Sequence, residues 1–244
     1  MPYTHEEPFT VCTWDVDRSD RLTMASAFNF CQEVAGNHAR ELGVGAEWMR
    51  ERKLAWVLSR MSLVLTTRPG WGARLVVRTW PRGTDRLFAV RDYEMISAAG
   101  TRLGVGRSAW IALNMENLRP RRVESLGVDI PLNKGLDAMT DGPVAVETRD
   151  GLIPRGERIA GYSDIDYNGH VNNARYVQWV QDSVPLEDLL GTPSLRMDIN
   201  YLAEVKPGDR ALLEAADLPD GWYVQGTIAD GGACCFRAVL TRLA

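Results

Sequence analysis

The sequence predicts an α+β protein of two tandem units, each one buried helix followed by an antiparallel meander. Three observations predict it. A long stretch with helical periodicity is followed by alternating, turn-punctuated segments; the same order recurs later in the chain; and a Pro- and Gly-rich stretch separates the two. The 244 residues suffice for two domains of about 120 residues, each able to bury a core.

In the first unit, Phe9 to Asp17 reads as extended. A helix is expected from Leu22 to Leu42, because Met24, Phe28, Cys31, Ala35, His38 and Leu42 recur at steps of three and four. Ala27, Phe30 and Val34 add a second apolar stripe, so the helix should be largely buried. His38 then reads as a satisfied core histidine and His5 as part of a mobile tail. Strands are expected over Met61–Thr66, Arg74–Trp80, Arg86–Ser97 and Thr101–Asn114. Pro69-Gly70, Arg82-Gly83-Thr84-Asp85 and Ala99-Gly100 supply turns between them.

The second unit repeats the plan. Arg158–Asp166 is extended, a shorter helix runs from Asn172 to Val184, and strands follow over Leu195–Ala203, Arg210–Ala216, Trp222–Ala229 and Ala233–Thr241. Asp17-Arg18-Ser19-Asp20-Arg21-Leu22 aligns with Asp166-Tyr167-Asn168-Gly169-His170-Val171. Thr66-Thr67-Arg68-Pro69-Gly70 aligns with Glu204-Val205-Lys206-Pro207-Gly208. On this alignment three chemically capable residues occur only in the second copy: Asn168 faces Ser19, His170 faces Arg21 and Glu204 faces Thr66. The expected division is residues 1–125, a connection over 126–157, and residues 158–244.

Bulk properties exclude several classes. A formal net charge of −4 offers no basic surplus for phosphate neutralisation, so no nucleic-acid partner is expected. No apolar run approaches the ~18 residues of a membrane span. The polar N-terminus lacks a signal-peptide pattern, which predicts a cytoplasmic location. Cys12, Cys31, Cys234 and Cys235 form no C-x-x-C pair and fit a reducing compartment.

The chemistry is concentrated in Asp164-Ile165-Asp166-Tyr167-Asn168-Gly169-His170-Val171-Asn172-Asn173-Ala174-Arg175-Tyr176. Its D-x-N-x-H-V-N-N-x-x-Y pattern resembles the signature of acyl-acyl-carrier-protein thioesterases. Trp56-Val57-Leu58-Ser59-Arg60, Thr79-Trp80-Pro81-Arg82-Gly83, Arg91-Asp92-Tyr93-Glu94, Ser108-Ala109-Trp110 and Leu118-Arg119-Pro120-Arg121-Arg122 resemble that family's N-terminal half, in order. The resemblance implies a double hotdog fold, with an acyl-chain pocket and a degenerate site in the first domain and a catalytic second domain. It implies active-site roles for Asp166, Asn168, His170 and Glu204. It also implies hydrolysis of fatty acyl thioesters on acyl carrier protein, ending chain elongation. Some plant members carry a cysteine after that glutamate; Val205 stands there, which excludes a cysteine nucleophile at that position.

These residue types suit the reaction. Asp166 either attacks the carbonyl or orients water, Asn168 offers an amide donor, His170 offers an imidazole that can relay a proton, and Glu204 serves as a base or orients His170. The sequence leaves open whether Asp166 or a Glu204-activated water makes the new bond. Backbone N–H groups of Val171 and Asn172, at the start of the helix, are expected oxyanion donors, with Gly169 permitting close approach. Either Asn172 or Asn173 caps that helix, and Tyr176 and Trp179 are core residues or pocket walls. Asp164, Asp166 and His170 lack a second histidine or cysteine at ligand spacing, so no metal is expected, and the reaction needs no cofactor.

Other readings attach to the rest of the chain. Trp14, Trp48, Trp56, Trp71, Trp80 and Trp110 are either core or walls of an acyl tunnel. Arg119, Arg121 and Arg122 either contact an acidic carrier protein or form a solvated turn. The rival functions are an acyl-coenzyme A thioesterase, a hotdog hydratase and a non-catalytic acyl-binding module. Either a monomer or a homodimer is compatible with two fused units.

Overall fold

The computed structural model describes residues 3–243. The first half runs β1 (His5–Thr10), α1 (Met24–Glu41), α2 (Ala46–Glu51), β2 (Leu54–Leu65), β3 (Arg74–Asp85), β4 (Phe88–Ser97), β5 (Arg102–Asn114) and the two-residue β6 (Pro120–Arg121). The second runs β7 (Ile153–Ile159), α3 (Asn173–Asp182), α4 (Leu186–Gly191), β8 (Leu195–Tyr201), β9 (Arg210–Leu218), β10 (Gly221–Ile228) and β11 (Cys234–Arg242).

The strands form one antiparallel sheet in the order β1-β3-β4-β5-β2-β8-β11-β10-β9-β7, with β6 added to the end of β5. The second half of that order mirrors the first, which is a pseudo-two-fold arrangement. Its axis lies at β2–β8, where Ser62 pairs with Asp198 and their side chains hydrogen-bond. The two expected sheets are thus fused into one. Helices α1 and α3 pack on each other, and their apolar faces share a single core with both halves of the sheet.

Local chemistry sets these elements. Thr23 caps α1 by accepting the Ser26 N–H (3.1 Å), and Asn172 caps α3 by accepting the Ala174 N–H (2.9 Å), which decides between the two asparagines. The apolar stripes of α1 are buried from Met24 to His38. Strand β2 begins at Leu54, well before the expected Met61, and β3 continues past Trp80 through a bulge at Pro81 to Asp85. A bulge is where a strand accommodates proline. Strand β7 begins at Ile153, inside the expected connection.

The connection is a strap pinned to the outer face of the sheet. Buried Asp92 takes the Ala138 N–H (2.8 Å) while gripping Arg107 at both carboxylate oxygens. Asn200 takes the Val146 N–H (2.8 Å), and the strap crosses the pseudo-axis at Gly142. There φ is +80° and an added Cβ would lie 2.9 Å from Ser62 Oγ, so only glycine passes.

His5 is no mobile tail. It starts β1 opposite Thr79, ion-pairs with Glu7 and Glu41, and stacks on His38 at 5.3 Å. His38 is buried, with Nδ1 3.0 Å from an Arg91 nitrogen. Burial first, then Arg91 and His5, push its pKa down to about 3, so His38 is neutral.

Candidate active site

The Asp166 turn leads directly into α3. Asp166 N–H donates to His170 O (2.9 Å) and Gly169 N–H to Asp166 O (3.0 Å). Asp166 Oδ1 accepts the Asn168 N–H (2.8 Å), and Oδ2 lies 3.4 Å from Asn168 Nδ2. Gly169 has φ +84° with nothing within 4 Å of an added Cβ. Its left-handed backbone explains the glycine; crowding does not. His170 Nε2 lies 3.2 Å from Glu204 Oε2, joining the turn to the loop after β8. Tyr176 OH accepts the Val205 N–H (3.1 Å) and so fixes the residue beside Glu204. Asp166 and Asn168 thus meet within the turn, and His170 meets Glu204 across to the loop after β8.

The expected oxyanion donors do not hold. Val171 N–H is taken by Val205 O (3.1 Å) and Asn172 N–H by Asp164 O (2.8 Å). A backbone donor already bonded within the fold is not available to substrate without breaking that bond. At the first turn of α3, Asn173 N–H has no acceptor among the described residues.

A narrow slot of about 10 Å³ opens between the helices, room for about one water. Phe28, Gln32, Leu58, Met61, Tyr93 and Trp110 of the first half line it, with Asn173 and Ala174 of the second. Of the six tryptophans read as either core or tunnel walls, Trp110 alone lines this slot. Trp14 and Trp71 are 80% and 68% exposed, and Trp80 is buried, bonded to Leu136 O in the strap. Tyr176 and Trp179 are core, packed ring against ring. Arg119, Arg121 and Arg122 are exposed beside the end of β5, with no acidic partner among the described residues.

The first copy has the same backbone with different side chains. Asp17 N–H donates to Arg21 O, Asp20 N–H to Asp17 O, Leu22 N–H to Pro69 O, and Gly72 N–H to Val11 O. Their counterparts are Asp166 to His170, Gly169 to Asp166, Val171 to Val205, and Gly208 to Ala160. These bonds correct the alignment by two residues: Gly72, not Gly70, matches Gly208. Glu204 is therefore matched by Arg68 and not by Thr66. The Pro-Gly dipeptides, Pro69-Gly70 and Pro207-Gly208, invite the false register. Arg68 is buried in an ion pair with Asp17. It also donates to Leu22 O (2.8 Å), Leu189 O (3.1 Å) and Thr192 O (2.9 Å).

Two family models cover most of the chain: the acyl-ACP thioesterase N-terminal domain over residues 2–128 and the acyl-ACP thioesterase C-terminal domain over residues 158–218. The chain belongs to the acyl-ACP thioesterase family. Among curated relatives of that family, the chloroplastic oleoyl-acyl carrier protein thioesterase 1 of Arabidopsis thaliana is 27% identical over 227 residues, 84% of this chain and 62% of the relative. The chain thus spans about six tenths of the length of such relatives. An acyl-ACP thioesterase crystal structure from Bacteroides thetaiotaomicron superposes with a TM-score of 0.88 at 28% identity, covering 98% of this chain and 97% of that one. The 12:0-ACP thioesterase of Umbellularia californica shares the fold, with a TM-score of 0.79 at 22% identity over 98% of this chain and 96% of that one. No helix among the described residues is long and apolar enough to cross a membrane.

Proposed function

We propose that this protein hydrolyses fatty acyl thioesters carried on acyl carrier protein, releasing the free fatty acid and the carrier thiol and so ending chain elongation. One observation carries the reading: within a chain of this family, His170, paired with Glu204, stands three residues before Asn173, which lines the apolar slot. The acyl chain enters the slot toward the first half. Met61 and its neighbours move aside to admit it, and each methylene buried contributes about 0.8 kcal/mol.

The geometry favours water as the nucleophile. Both Asp166 oxygens are engaged by Asn168 within the turn, and in the first copy Asp17 Oδ1 likewise accepts the Ser19 N–H (2.8 Å). Glu204, 50% exposed and touching His170, is free to take a proton from water as that water attacks the carbonyl carbon. The carbonyl oxygen gains charge, the C–S bond then breaks, and the departing sulfur takes a proton through His170. Asp166 and Asn168 hold the turn that aims the histidine.

Turnover of a matched series of acyl-carrier-protein and acyl-coenzyme A thioesters tests this. The expected result is free acid and thiol in equal amounts, with higher kcat/KM on the carrier protein. Higher efficiency on coenzyme A would reassign the carrier. A hydroxyacyl thioester without thiol would identify a hydratase, and tight binding without turnover a binding module.

A further inference from the structure

We propose that Gln32, on α1 of the first half, is a further catalytic residue of the site in the second half, its side-chain amide donating to the thioester oxygen as that oxygen gains charge. The inference rests on the thioesterase reading and begins from an account of donors. A tetrahedral intermediate needs donors aimed at its oxyanion. Gly169, Val171, Asn172 and Ala174 N–H groups all have acceptors within the protein; Asn173 N–H is open, and an oxyanion takes a second donor beside it. Gln32 Nε2 has none among the described residues, and the side chain lines the slot together with Asn173 and Ala174.

Its orientation is fixed from one side. Gln32 Oε1 accepts from Asn173 Nδ2 at 3.4 Å, which holds the amide plane at the mouth of the slot and leaves both Nε2 hydrogens for a ligand. Phe28 and Met61 form apolar walls nearby, and a fixed dipole acts more strongly where water is excluded. A neutral amide suits that environment, since a buried charge would carry a large desolvation cost.

The pseudo-two-fold supplies an independent observation. The Asp17-to-Asp166 register places Gln32 over Gln181. Gln181, on α3, reaches across to the start of α1, where its Oε1 accepts the Ala25 N–H (3.1 Å). In the second copy the equivalent Ala174 N–H is already taken by Asn172 Oδ1. Both glutamines are thus anchored through Oε1, Gln181 on backbone at the start of α1 and Gln32 on a side-chain amide, and of the two Gln32 is the one that lines the slot.

The test compares kcat, KM and pH profile for wild type, Gln32→Ala, Gln32→Glu and Gln181→Ala on one acyl-carrier-protein thioester. Gln32→Ala should lower kcat about 100-fold with KM within about threefold, as for loss of one oxyanion donor. Gln32→Glu should be more impaired at neutral pH and recover as pH falls, because a protonated carboxyl again donates; a packing role gives no such recovery. Gln181→Ala should lower the melting temperature and spare kcat. Gln32→Ala with near-wild-type kcat, or Gln32→Glu with a wild-type pH profile, overturns the role while the thioesterase reading stands. A wild-type protein without turnover removes both.

Discussion

The Asp17 turn and the Asp166 turn have one backbone and opposite fates. Around the second, His170 and Glu204 remain 31% and 50% exposed. Around the first, Arg68 is 1% and Asp17 15% exposed, because another element has closed over them. The cause lies in the helices. Helix α3 has 10 residues and delivers α4 against the Asp17 turn. There Arg68 and Arg21 bond Leu189 O, Leu190 O and Thr192 O, carbonyls at a helix end that need donors. Helix α1 has 18 residues; its eight extra residues extend it by about 12 Å and carry α2 away to pack on β2. The Asp166 turn stays open to solvent. One duplicated turn thus serves as a clamp between the halves or as a reaction site, according to helix length and to whether arginines or a histidine–glutamate pair occupy two positions.

The clamp should be severed most severely by Arg68→Ala. It leaves Asp17 Oδ2 and the Leu22 and Thr192 carbonyls without their donor, and breaking a buried pair in this way costs about 3–5 kcal/mol. Urea unfolding should show that loss, while kcat per folded molecule is unchanged. A fall in kcat with stability intact would break the comparison, since it would make the first turn part of the reaction site.

A smaller effect separates the two histidines. Buried His38 has its pKa pushed down to about 3, against about 6.5 in the unfolded chain. Below 6.5 the unfolded state binds a proton that the folded state refuses. Its contribution is therefore fully present above that value and lost as pH falls toward 3. Between pH 6.5 and 5 the loss is about 2 kcal/mol, and it should vanish from the pH–stability profile of His38→Gln. An unchanged slope in that variant would assign acid sensitivity elsewhere.

The smallest effect concerns the carrier. Reversing Arg119, Arg121 and Arg122 to glutamate should raise KM a few-fold for carrier-protein substrates at low salt and leave small thioesters unaffected. Equal effects on both would remove these arginines from docking.

Much of this was legible before the structure. The α1 stripes and the strand alternation follow from periodicity, and Asp166, Asn168, His170 and Glu204 were singled out by their resemblance to a family signature. Helices α2 and α4, six residues each, are too short to show a period, yet α4 decides which turn is closed. Thr66 stood opposite Glu204 because identical dipeptides outweigh loop geometry in a bare alignment; backbone hydrogen bonds restore Arg68. The Val171 and Asn172 donors were misassigned because sequence does not show where Val205 and Asp164 carbonyls fall. Gln32 passed unnoticed as one polar residue on an apolar helix. The signal that could have found it is Gln181 at the matching place in the repeat.

The most direct test sets matched positions of the two turns side by side: thiol release from one acyl-carrier-protein thioester by His170→Ala and by Arg21→Ala. The account predicts a fall of about 10²–10⁴ in kcat for His170→Ala with its fold intact. Arg21→Ala, which loses the Leu190 bond, should cost about 1 kcal/mol of stability and leave kcat at the wild-type value. Wild-type turnover in His170→Ala, or an equal loss of kcat in both variants, would contradict a reaction site confined to the second copy.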